Sequence, residues 1–398
     1  MKYNFSLFFF LLVCFSLITI NNTQKTIDYR KGNYFVNVLL SDCEVGKDVE
    51  AHSFDLRSEN GFLLSDGTPE SKVFYNKSNK ITISVKDNFI YINDKKYLKN
   101  KARISPKDGD INFGQYFYQG DFVFVLDHKK LYLMNKINLE DYVFAVLCSE
   151  SWPNWPLEVN KVFAIAIRTY VTKRAQDAKK ANRIYHIKND NSHQTYRGYK
   201  LPNRNYDLLR TAVSKTDDLI LTYNGDIIDP LYDCCCGGII PADIEGKINF
   251  KKAPYLARKY SCPYCKKCKS YSWEVAYDVK DLEELLDIKN ILSISVTKKD
   301  KAGLVKEVQV KVSGKRNKHS NIIKLTGDKL HKYLKRIKSF CYSIKKQGKK
   351  FVISGKGHGH HIGICQWGAR EMVRQNFDFK QILTFYYPGS KLSLFPRE

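Results

Sequence analysis

Between residues 34 and 136, apolar and polar positions alternate in short runs at 34–40, 80–85, 89–92, 122–126 and 130–134, the period of strands with one buried face. Asn88, Asn93-Asp94, Asp108-Gly109-Asp110 and Asp127-His128 separate the runs, so they read as small antiparallel strands joined by turns. At Asn138-Leu139-Glu140-Asp141 the period changes to that of a helix. Asn138 suits the cap, the two carboxylates suit the positive end, and Tyr142, Val143, Val146 and Leu147 share one face. Pro153 stops this helix and leaves Cys148-Ser149-Glu150 in its last turn. Asn154-Trp155-Pro156 opens a second helix, where Val159, Val162, Phe163, Ala164, Ile165, Ala166, Ile167 and Tyr170 are apolar nearly all round. Such a helix belongs in the middle of a domain.

Residues 206–215 read as a third helix, and 219–223, Asn224-Gly225 and 226–232 as a hairpin, because Asn-Gly fits a turn that needs positive φ at both central positions. A second hairpin centres on Lys301-Ala302-Gly303, and 328–335 form a short basic helix. The chain closes with a strand at 350–354, a glycine-rich loop, and helices at 366–375 and 379–386. The pattern predicts an α+β protein, with a β-rich region over 22–136 leading into a helix-plus-sheet domain over 137–398.

Charge and the first residues narrow the setting. Sixty-six Lys and Arg against 41 Asp and Glu give +25, which calls for a polyanionic partner: nucleic acid, anionic lipid or an anionic wall polymer. Residues 1–21 carry a basic start at Lys2 and an apolar run at 5–20, the mark of an export signal. The run is shorter than the roughly 20 residues of a usual spanning helix, yet no clean small-x-small site precedes Asn21-Asn22, so a retained membrane anchor stands beside a cleaved signal. Leu11-Leu12-Val13-Cys14 is a poor lipoprotein box, since Val13 is bulky and apolar residues continue past Cys14. An exported basic chain meets cell wall and lipid headgroups, and no nucleic-acid partner is expected.

Eleven cysteines include two clusters, Cys234-Cys235-Cys236 and Cys262-x-x-Cys265-x-x-Cys268, while Cys43, Cys148, Cys341 and Cys365 are scattered. The clusters fit a local zinc site, a disulfide knot, or a few bridges plus buried free thiols, and no second C-x-x-C at zinc-ribbon spacing decides between them. Among carboxylates Glu150 is singled out: it ends a helix, stands just ahead of Trp152 and Trp155 in sequence, and precedes a Pro-directed turn. The negative helix end and partial desolvation both favour the protonated form a general acid needs, whereas a solvated glutamate at a fraying end is the plain alternative. Lys161 and Arg168 sit at i and i+7 of the second helix, lining a cleft or forming its one wet edge. The run Gly355-Lys356-Gly357-His358-Gly359-His360-His361-Ile362-Gly363 lacks both the phosphate-loop and the H-E-x-x-H spacing, and reads as a tight loop along a groove.

Taken together, several segments resemble the stage II sporulation protein D (SpoIID/LytB) family. They are Tyr118-Gln119-Gly120, Asn138-Leu139-Glu140-Asp141-Tyr142-Val143, Ser149-Glu150-Ser151-Trp152-Pro153, Trp155-Pro156-Leu157-Glu158, Lys161, Ala166-Ile167-Arg168-Thr169-Tyr170, Gln194-Thr195-Tyr196-Arg197-Gly198, Gly237-Gly238, Pro254-Tyr255-Leu256, the 357–363 loop with Gln366-Trp367-Gly368-Ala369, and 382–389. The resemblance implies that 137–398 form a catalytic domain with a cleft, a lytic transglycosylase that cuts peptidoglycan glycan strands to 1,6-anhydro-muramyl ends on the cell-wall side of the membrane. It implies Glu150 as the catalytic acid and base, and Lys161, Arg168, Tyr255, His360 and Gln366 as substrate contacts, with no cofactor required. Some members bind zinc through a His and Cys cluster just before the Gln of the Gln-x-Tyr segment. Here 186–194 have no cysteine, so only His186 and His193 with thiolates of 234–236 would keep such a site. The family often reads His-Ser-x-Ser-Gly-Gly where this chain has Asp233-Cys234-Cys235-Cys236-Gly237-Gly238. Two other readings are a non-catalytic wall-binding protein that activates a cell-wall amidase, and a zinc hydrolase built on His358, His360 and His361.

Overall fold

The alternating runs of the leading region become two antiparallel sheets. The computed structural model describes residues 34–45, 53–68, 72–97, 99–152, 154–190, 192–200, 206–313 and 321–395; the export-signal run at 5–20 and Cys14 lie outside them. Strands Phe35–Glu44 and Lys130–Asn138 pair from Phe35↔Asn138 onward within a seven-stranded sheet. A six-stranded sheet faces it, with Phe54 on Phe124 and Phe113 on Phe122 at ring separations of 5.7 Å. Val36, Val38, Phe122 and Phe124 are fully buried, as one-face alternation requires.

The last long strand hands the chain directly to helix α1 (Leu139–Glu150), where Asn138 Oδ1 accepts from Glu140 N at 2.9 Å. Helix α2 (Leu157–Lys180) then runs through the middle of the molecule. The buried Thr169 is paired on both sides: its Oγ1 donates to the Ile165 carbonyl and accepts from Leu221 N, binding α2 to the strand Leu219–Tyr223. Helix α3 (Asp207–Ser214) packs beside both.

The Asn224-Gly225 turn forms with φ of 52° and 88°, but the expected second strand does not run on to residue 232. Pairing ends at Thr222↔Ile227, because Asp229 N donates to Tyr255 Oη and Pro230 has no N–H to offer a ladder. The chain re-enters a sheet at Tyr232–Asp233, now parallel to Ile364–Cys365 in the register Tyr232↔Ile364 and Asp233↔Cys365. The free edge of Leu219–Tyr223 is taken by Lys391–Leu394.

Two three-stranded sheets with helices α4 (Val279–Leu286) and α5 (Gly327–Tyr333) enclose a core of their own around Trp273, Leu282, Val308, Leu330 and Phe351. Helices α6 (Gln366–Arg374) and α7 (Phe379–Tyr386) follow, the latter with an Asp378/Gln381 capping box. The protein is therefore α+β with a β-rich N-terminal region. Among the described residues no helix is long and apolar enough to cross a membrane.

Candidate active site

Glu150 is the last residue of α1, and the turn behind it is locked by α2. Ser151 caps α1 by donating its N–H to the Leu147 carbonyl, and its hydroxyl donates to Asn160 Oδ1 at 2.6 Å. Asn160 is fully buried in the first turns of α2 and returns a bond from Nδ2 to the Trp155 carbonyl at 3.0 Å. One buried amide thus holds both ends of the elbow between the helices. The carboxylate is half-buried, and its Oε1 accepts from Thr195 N at 2.7 Å. Among the described residues Oε2 accepts no hydrogen bond. Gln366, the first residue of α6, donates Nε2 to the Glu150 carbonyl at 3.3 Å.

Behind Glu150, Tyr142 Oη donates to Gln194 Oε1 at 3.0 Å. The Tyr232 hydroxyl is fully buried; burial, and next the charge of Glu150, hold it well above the usual tyrosine range, so it stays a proton donor. On the outer side Trp152 is 56% exposed, and does not close over the carboxylate as its place in the sequence implies. It leads instead an aromatic row, 6.3 Å from Trp155, which meets Trp367 edge-on at 5.8 Å, and Arg370 lies over both of the latter rings.

The other expected contacts scatter. The Gln366 side chain reaches the backbone carbonyl of Glu150 and not its carboxylate. Arg168 has no exposed side-chain surface: it forks onto Glu140 with Nε at 2.7 Å and Nη2 at 2.5 Å, and donates Nη1 to the Leu219 carbonyl. In place of lining a cleft it joins α2 to the start of α1, because a buried guanidinium must be matched at every donor. Lys161 is paired with Glu158 and lies over the Phe379 ring, and Glu158 also accepts from Phe379 N, so this cation braces α7. Tyr255 is buried with its hydroxyl on Asp229 N. Asp229 pairs with Arg174, whose guanidinium covers Tyr170 at 4.8 Å. His360 accepts from Ile362 N at Nδ1 and bonds the Tyr232 carbonyl from Nε2 at 2.9 Å, and burial pushes its pKa down to about 4. It is a neutral strut of the loop.

Sequence reasoning passed over Thr195, Tyr232 and Asn160 as site residues. The Gln194-Thr195 segment carried a signal through its likeness to the family. Tyr232 and Asn160 carried none, since both act through contacts that only the packing of α1, α2 and the Tyr232–Asp233 strand creates.

The metal expectations are also redrawn. His186 Nδ1 accepts from Asn37 N, and His193 faces Tyr170, so among the described residues neither joins a thiol. His361 is bound to Asp233 and the Cys236 carbonyl, and no histidine of the glycine loop enters a metal-sized cluster there. Cys236, Cys262, Cys265 and the scattered Cys365 do converge, with all four Sγ atoms within 4.8 Å of one another and all four residues buried.

Comparison with known proteins fits this arrangement. The family model described as stage II sporulation protein matches residues 127–223, which include Glu150, Asn160 and Thr195. An uncharacterised protein of Brachyspira hyodysenteriae is 29% identical over 80% of this chain and 84% of its own length. The amidase enhancer of Bacillus subtilis is 26% identical over 93% of this chain, which spans 55% of that protein. Stage II sporulation protein D of Bacillus subtilis is 24% identical over 65% of this chain and 76% of its own length. The matched segment begins just before α1 and carries the whole elbow that holds Glu150, so residues 127–223 form a stage II sporulation protein domain.

Proposed function

We propose that this protein, whose relatives tie it to the cell wall, is a lytic transglycosylase that cuts peptidoglycan glycan strands and leaves 1,6-anhydro-muramyl ends. The observation that carries the reading is the held carboxylate: Thr195 N fixes Oε1, Oε2 is free among the described residues, and Trp152, two residues on, is exposed and offers an apolar face for a sugar ring. Glu150 as the acid protonates the glycosidic oxygen while the bond from it to C1 breaks. As carboxylate it then takes the proton of the muramyl 6-hydroxyl as O6 bonds to C1. No water enters and no second carboxylate is needed, since the substrate carries its own nucleophile. The +25 charge suits an anionic wall polymer, and the reading entails export through residues 1–21.

A second reading is supported by the likeness to an amidase enhancer over 93% of this chain: a wall-binding protein that activates an amidase without cutting glycan. Mass spectrometry of glycan strands incubated with the purified chain separates the two. Anhydro-muramyl ends from the wild type, reduced by about 10²-fold or more in Glu150→Gln, support the enzyme. Binding without such ends from either protein would reject it in favour of the activator.

A further inference from the structure

We propose that Cys236, Cys262, Cys265 and Cys365 form a structural zinc site that fixes the loops behind Gln366. The site stands apart from whether Glu150 cuts glycan. Cys236 Sγ lies 3.7 Å from Cys265 Sγ. Four sulfurs around a tetrahedral zinc at about 2.3 Å stand about 3.8 Å apart, so this pair already has the spacing of such a shell, and the other pairs lie within 4.8 Å. A four-iron cluster would place its own iron and sulfide between the ligands and spread them farther.

The shell is supported in the way thiolate ligands usually are. Cys365 Sγ accepts from Gly368 N and from Cys236 N, each at 3.3 Å, and Tyr386 Oη lies 3.3 Å from Cys262 Sγ. Gly368 is required by this closeness, because a Cβ there would stand 2.9 Å from Cys262 Sγ and 2.1 Å from Tyr386 Oη. Cys365 also caps α6, where the helix's positive end favours an anionic sulfur. Binding would release the remaining thiol protons to solvent, and exposed Lys266 and Lys267 flank the resulting negative centre.

Three segments far apart in sequence meet here. Cys236 follows the strand Tyr232–Asp233, Cys262 precedes the short 3-10 turn Tyr264–Lys267 and Cys265 lies within it, and Cys365 ends the strand Ile364–Cys365 that pairs with the first. Gln366, the residue after Cys365, is the one that reaches Glu150. The metal would therefore set the position of α6 against the elbow of the candidate active site.

The test is metal analysis of the full chain purified after zinc-supplemented expression. One zinc per chain is expected, released as the thiols are titrated with a mercurial. Cobalt exchanged into the wild type should show thiolate charge-transfer bands of a tetrahedral all-sulfur site, a readout that needs no variant to fold. Cys262→Ser and Cys365→Ser should lose the metal, while Cys43→Ser and Cys235→Ser keep it. The proposal is overturned by a metal-free chain, by iron in place of zinc, or by a non-reduced mass lower by four hydrogens, the mark of two disulfides. Loss of zinc in Cys235→Ser with retention in Cys236→Ser would overturn the ligand assignment.

Discussion

The elbow that carries Glu150 and the loops that carry the four thiols lie on either side of Gln366, and they are built by opposite means. The elbow joins two helices with an apolar seam; its polar groups, Ser151, Asn160, Arg168 and Glu140, are matched within it. The loop side has two two-residue strands, a short 3-10 turn and four buried sulfurs. A helical seam gains order from the hydrophobic effect spread over many side chains. Irregular loops cannot, so their order must come from a few strong local ties.

That contrast predicts where each perturbation will be felt. The largest effect is expected on removing metal from the wild type: amide exchange at 234–238, 260–268 and 357–366 should rise by roughly a hundredfold or more, with the first turns of α2 unchanged. Equal loosening on both sides would erase the distinction. Next, Arg168→Met should cost the whole fold about 3 kcal/mol in denaturant unfolding, since it leaves Glu140 without its buried partner. Asn160→Ala should cost about 1–3 kcal/mol and lower glycan cleavage more than glycan binding, because it frees the turn that aims Glu150.

On the loop side, acid should act through His360. Its folded pKa of about 4 lies below the unfolded value near 6.5, so the unfolded chain binds the extra proton between them. The stability this histidine contributes is present above about pH 6.5 and is lost as pH falls toward 4, at most about 3 kcal/mol. Exchange in the 357–363 loop followed against pH should show the loss, and His360→Gln should reduce it without abolishing it, because burial also holds His361 at about 4 and lowers His358. The smallest effect belongs to Trp152→Ala: with the ring 56% exposed, the melting temperature should hold while glycan affinity falls by about 1 kcal/mol.

The residues themselves announced what depends on near neighbours. Alternation marked strands such as Phe89–Ile92, Asn138 marked the start of α1, the all-round apolar pattern marked α2 as central, and Asn224-Gly225 marked its turn, because each is decided within a few positions along the chain. Tertiary structure alone decided the rest. It sent Arg168 to Glu140, stopped the hairpin at Ile227 and brought Cys365 to Cys236 by pairing Asp233 with Cys365. Each of these is a contact between segments far apart in sequence, and a side chain of either segment shows its type and its period but not the partner that packing will bring to it.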